Sequence, residues 1–178
     1  MKSDPADAIG SLYERHAAAV RRYALRRSDR ETADEVTAQV FLVAWRRHSS
    51  VPDDALPWLY GVARRALADQ RRGASRRRRL GERLRSVAIE DATELRLDDR
   101  GLAEALKRLS AADREALLLC YWEELEPAQM ARAMGCSRAA AAVRLHRARR
   151  RLRRELDGEE HVEDGGPERA CVARRESV

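Results

Sequence analysis

Eight arginines, Arg138, Arg144, Arg147, Arg149, Arg150, Arg151, Arg153 and Arg154, crowd one stretch of the chain, with no acid before Glu155. A guanidinium is a planar fork of donors that matches phosphate and the edge of guanine, so the chemistry on offer is recognition of a polyanion. Like charges this close on a helix repel one another unless such a partner is present. Residues for covalent chemistry are scarce. Cys120, Cys136 and Cys171 are odd in number and widely spaced, with no CxxC pair. No HExxH, phosphate-binding glycine loop or supported Ser, His and Asp set occurs. No cofactor and no metal is expected, and nothing speaks for an enzyme. Unpaired, reduced thiols point to a cytoplasmic protein.

The arginines need a rigid carrier. Ala, Leu and Arg are strong helix formers, and no Pro or Gly interrupts the run between Gly135 and Asp157. Ser137 is placed to cap that helix. Ala141, Leu145, Ala148 and Leu152 recur at spacings of three and four and form its apolar row. Ahead of it, Pro127 to Met134 predicts a short helix, with Glu126 as cap and Pro127 in the first turn. Met130, Ala131 and Met134 form its inner face, and Gly135-Cys136-Ser137 makes the turn between the two helices. A short helix, a glycine turn and a basic helix have the order of a helix-turn-helix, whose second helix enters the major groove. The plainer alternative is a solvated basic face on an ordinary helical hairpin.

The rest of the chain suits small helical domains. Of 178 residues, 37% are charged and only 4% aromatic, with a net charge of +6, so the core is thin and built from Ala, Leu and Val. No strand pattern occurs, no apolar run approaches membrane-spanning length, and no signal-peptide pattern is present. Ile9, Leu12, Tyr13, His16, Val20 and Tyr23 predict a first amphipathic helix ending near Arg27, with His16 a packed core residue. Ala33, Val36, Val40, Phe41, Ala44 and Trp45 form the buried stripe of a second. Its other face carries Asp34, Glu35 and Gln39. By pattern alone that face is solvated, and docking on a basic partner is the sharper alternative.

Arg46 to Leu56 reads as a polar loop. Pro57 restarts a helix whose inner row is Trp58, Leu59, Val62, Ala63, Ala66 and Leu67. Gly61 within it costs roughly 1 kcal/mol against alanine, which points to close packing or to a close approach by another chain. The helix turns arginine-rich toward Arg79, which suits a phosphate backbone. Farther on, Ser110 with Asp113 resembles a capping box, and Ala116, Leu117, Cys120 and Tyr121 continue a core. The expectation is an all-α protein with two small helical domains, residues 8–80 and 101–156. A flexible linker over 81–100 and a disordered tail over 157–178 complete it.

Three segments together resemble the extracytoplasmic-function sigma factors of the sigma-70 family. Glu31 to Trp45 is similar to the family's DAEDLVQEVFLRAW, and Pro57 to Arg72 to its PWLYGIARNLAIDHLRR. Leu145-His146-Arg147-Ala148-Arg149, within Leu109 to Leu156, is similar to its RLHRAR. The segments stand in the family's order and spacing over most of residues 9–156. The resemblance implies a subunit that binds core RNA polymerase and directs transcription from −10 and −35 promoter elements, with an anti-sigma factor as a further partner.

Residue roles come with it. The resemblance implies that Asp34, Glu35 and Gln39 dock on the polymerase. It implies that the loop with His48, Ser49, Ser50 and Asp53 takes a flipped base of the −10 element, and that Arg64, Arg65, Asp69 and Arg72 lie by that element's upstream edge. Ser137, Arg138, Ala141, Arg144, Arg147 and Arg149 are implied at the −35 element. Arg65 departs from the family's usual Asn, and Ala140 and Ala142 from its Thr and Lys, so fewer polar groups face the groove. The alternative is a helix-turn-helix regulator that binds duplex DNA without polymerase. An RNA-binding adaptor fits less well, because RNA readers display stacking aromatics.

Overall fold

Helices form where the apolar spacing predicts them. A computed structural model describes the backbone of residues 5–82 and 100–163 and the side chains of 6–76 and 100–157. The helices are α1 (Pro5–Leu25), α2 (Arg30–Arg46), α3 (Ala55–Glu82), α4 (Arg100–Arg108), α5 (Ala111–Tyr121), α6 (Pro127–Met134) and α7 (Arg138–Glu163). A 3-10 turn, His48–Ser50, lies in the polar loop between α2 and α3. The fold is all-α, and no strand occurs among the described residues. None of the described helices is long and apolar enough to cross a membrane.

Side-chain caps set several helix starts. Asp29 Oδ1 accepts from the Thr32 amide at 2.8 Å, Ser110 Oγ from Asp113 at 3.2 Å and Ser137 Oγ from Ala140 at 3.1 Å. Each satisfies one amide that the first turn leaves without a helical partner. The box expected at Ser110 is half made, because the Asp113 carboxylate is taken by Arg151 of α7 instead. Gly135 ends α6 at φ 68°, where an L side chain is strained. Its amide reaches Arg132 O and that of Cys136 reaches Ala131 O, so the turn satisfies two carbonyls before α7 begins.

Val20, Tyr23, Val36, Val40, Leu59 and Ala63 fill the core among α1, α2 and α3. Leu106, Leu117, Leu119, Met130, Ala141 and Ala148 do the same among α4 to α7. Three aromatics expected in these cores are half-exposed instead: Tyr13, Trp45 and Tyr121. Each sits where its helix stripe meets solvent. Tyr13 lies edge-on against Phe41, Trp45 falls in the last turn of α2, and Tyr121 lies under the guanidinium of Arg149. Helix α3 begins at Ala55, two residues before Pro57, which still lies in the first turn. Helix α7 continues to Glu163, into the stretch expected as tail. Residues 83–99 and 164–178, which hold most of the expected linker and tail, lie outside the described residues.

The two halves pack on each other, α3 against α6. Gly61 makes this possible: a Cβ there would stand 3.2 Å from the Ala133 carbonyl oxygen. Of the two readings of this glycine, close packing holds: the neighbour is the chain's own α6. Beside it lies a buried ionic cluster. Arg27, only 4% exposed, donates to Glu115 at 2.9 Å and Glu123 at 3.2 Å, and Arg26 donates to Glu123 at 3.1 Å. Tyr23 stacks on Tyr60 with ring centroids 4.8 Å apart and donates its hydroxyl to Glu115 at 2.7 Å.

Burial, then the neighbouring Glu115 carboxylate, pushes the Tyr23 phenol well above its ordinary range, and burial beside Glu123 pushes Tyr60 up likewise. A phenol whose folded pKa is raised stabilises the fold fully below the unfolded value near 10 and loses that stability as pH rises toward the folded value. We expect unfolding free energy to fall above pH 10 by up to about 1.4 kcal/mol per pH unit for each of the two phenols. Denaturant titrations at pH 9, 10 and 11 check this, and a Tyr23→Phe, Tyr60→Phe chain should lose the dependence.

Candidate nucleic-acid and polymerase interfaces

Helix α7 carries its arginines around a buried row. Ala141, Leu145 and Ala148 are buried against α5 and α6, and Leu152 is partly so. Successive residues turn about 100°, so the opposite face is Ala139, Val143, His146 and Arg150, all exposed. Arg147 stands beside it, also exposed, whereas Arg138, exposed in the first turn, lies in line with the packed row. This sorts the residues that the resemblance places at the −35 element. Ala141 has no exposed surface and faces the core, so it cannot touch DNA. Arg144 is half-buried beside the packed row. Arg149 leans back over the Tyr121 ring at 5.3 Å and toward the Cys120 sulfur at 3.7 Å. Ser137 is exposed but its oxygen is engaged in the cap. The resemblance does not name Val143, His146 or Arg150, although the spacing of the apolar row already locates the face opposite it.

The residues implied at the −10 element fall into two groups. His48, Ser49 and Ser50 form the exposed 3-10 turn, where His48 Nδ1 lies 3.2 Å from the Trp45 carbonyl oxygen, and Asp53 follows, also exposed. Arg65, Asp69 and Arg72 recur at four and three along α3 and make one exposed stripe, with Asp69 and Arg72 paired. Ten residues of helix, about 15 Å, separate Ala55 from Arg65. Arg64 does not join the stripe. It turns to α6 and donates to the carbonyls of Ala133 at 3.3 Å and Met134 at 2.9 Å, where cations suit the end of a helix. Asp54, in the same loop, is held by Arg132 at 3.1 Å and Gln129 at 3.3 Å.

On α2, Asp34, Glu35 and Gln39 are all exposed and share the side away from the core. Arg21 of α1 donates to Asp34 at 2.5 Å and holds its carboxyl below the ordinary value. Gln70 of α3 donates to Glu35 at 2.9 Å. Exposed pairs of this kind contribute little to folding, so they can be exchanged for another partner at small cost.

Both halves of the chain match known proteins. Residues 12–77 match the family model for sigma-70 region 2, and residues 99–152 the model for sigma-70 region 4. The chain is 36% identical over 154 residues to the ECF RNA polymerase sigma factor SigL of Mycobacterium tuberculosis, covering 82% of this chain and 87% of that protein. It is 32% identical over 161 residues to the ECF RNA polymerase sigma factor BldN of Streptomyces coelicolor, covering 85% of this chain and 61% of that protein. The sigma factor RpoE of Bartonella quintana, solved with the anti-sigma factor NepR, has a TM-score of 0.64 at 26% identity, over 83% of this chain and 96% of that one. CnrH, solved with the cytosolic domain of CnrY, shares the fold with a TM-score of 0.61 at 23% identity, over 87% and 96%. With region 2 lying on α1 to α3, region 4 on α4 to α7, and a relative matched through both, the chain belongs to the extracytoplasmic-function sigma factors of RNA polymerase.

Proposed function

We propose that the exposed face of α2 docks this sigma factor on core RNA polymerase, that the loop over 46–56 and the Arg65, Asp69, Arg72 stripe read the −10 element, and that α7 reads the −35 element. Residues 8–80 and 101–156 are the two promoter-reading units. The observation that carries this is α7 itself: a capped helix that follows a left-handed glycine turn, with Arg147 and Arg150 exposed on the side away from its packed row. The chain makes no covalent change and needs no cofactor. It works in the cytoplasm, beside the polymerase. An anti-sigma factor is its regulatory partner, a reading supported by the RpoE–NepR complex.

Run-off transcription with core polymerase over a promoter library tests the whole. Initiation that depends on the added chain and on both elements is expected, and binding to promoter duplex without polymerase dependence would refute it. The docking face has its own test. Reversing the charges of Asp34 and Glu35 together should weaken core binding at least tenfold, measured by titration, while the circular dichroism and melting temperature stay near wild type. Unchanged affinity would move the docking surface elsewhere.

A further inference from the structure

We propose that Val143 determines sequence preference at the −35 element by selecting a thymine through its 5-methyl group. The inference rests on the reading of α7 as the −35 reader and adds what that helix reads. Val143 is 50% exposed and lies opposite the buried Ala141 and Leu145, at the centre of the face that enters a groove. It is the one large apolar side chain so exposed among the described residues of α7. Its neighbours one turn toward the N-terminus, Ala139 and Ala140, carry no polar group, and Ala142 beside it carries none. Exposed arginines follow this patch along the same side at Arg147 and Arg150 and supply charge for phosphate, which positions the helix without carrying sequence.

An isopropyl group neither donates nor accepts. Pressed against the edge of guanine, cytosine or adenine, it strips water from polar atoms and returns no hydrogen bond. Thymine alone presents an apolar group in the major groove, its methyl, and an apolar side chain fits there. Branching at Cβ leaves valine one strongly preferred rotamer in a helix, so the shape it offers is fixed. The chain thus places a rigid apolar contact where polar groups are the more usual readers.

The test uses holoenzyme reconstituted from core polymerase and the full chain, on promoters in which each −35 thymine of the preferred sequence is replaced in turn by deoxyuridine. That change removes the methyl and nothing else. One position should weaken open-complex formation about fourfold, the worth of one buried methyl, and a Val143→Ala holoenzyme should show no such loss there. Val143→Ala lies on an exposed face and raises helix propensity, so the variant folds. A uracil penalty at no position overturns the inference. A penalty that persists unchanged in Val143→Ala overturns it too, since another residue then reads the methyl. If the −35 element can be scrambled without effect while −10 dependence remains, the reading of α7 itself has failed, a result distinct from both.

Discussion

Arg27→Ala is expected to part the two halves of the chain. The guanidinium is buried between α1 and α5, bonded to Glu115, Glu123 and the Tyr23 carbonyl, and lies 3.6 Å over the Tyr23 ring. Burial alone works against its charge, and the two carboxylates with Tyr23 more than offset that. Without it, Glu115 and Glu123 remain in a site shielded from water, and removing one partner of a buried pair costs about 3–5 kcal/mol. The carboxylates escape that cost by moving into solvent, which requires α5 to leave α1. Helix content should therefore stay while the radius of gyration rises, read by circular dichroism and small-angle X-ray scattering. Arg27→Lys, which keeps a charge but not the fork, should open the chain less. An unchanged radius in Arg27→Ala would show that the α3 and α6 contact holds the halves together unaided.

Replacing Arg147, Arg150 and Arg154 together with glutamine is expected to have the largest effect on DNA. Each phosphate neutralised by a side chain gives a slope near −0.9 in log affinity against log salt, so removing three such pairings should flatten the slope by about 2.7. At about 0.1 M salt, taking 1 M as the reference, that is roughly five hundredfold in affinity. Phosphate contacts carry no sequence information, so the order of preference among −35 variants should survive even as all of them weaken. A flattened slope with an altered order would mean that one of the three reads a base. An unaltered slope would take the phosphate backbone off this face.

What is legible in the sequence is local. Apolar residues at three and four give the helices, and Asp29, Ser110, Ser137 and Gly135 give starts and a stop because capping chemistry acts within a few residues. The face of α7 is legible as well, yet the resemblance puts Ala141 on DNA. A resemblance fixes position along a segment, whereas rotation about the helix fixes which side a residue faces, and rotation puts Ala141 inside. Tyr13, Trp45 and Tyr121 mislead because an aromatic at the edge of a stripe has the same spacing as one at its centre. The contact between halves is almost invisible. Arg27 and Glu115 lie 88 positions apart, and nothing in either neighbourhood names the other. Gly61 is the one local trace, a glycine at a cost in helix stability that only the close pass of α6 explains.

That pass has a thermodynamic consequence for promoter recognition. Elements centred near −10 and −35 are some 25 base pairs apart, roughly 85 Å at 3.4 Å per step. Helix α3 touches α6, and α7 is the next helix beyond it, so the packed chain spans only a fraction of that distance. A chain in this arrangement cannot occupy both elements at once, and Arg64 and Asp54 are held by α6 while it lasts. Promoter affinity of the free chain is therefore its intrinsic affinity scaled by the fraction of molecules that have come apart. The coupling runs both ways: whatever binds only the separated form draws down the packed population by the same factor that packing weakens its binding.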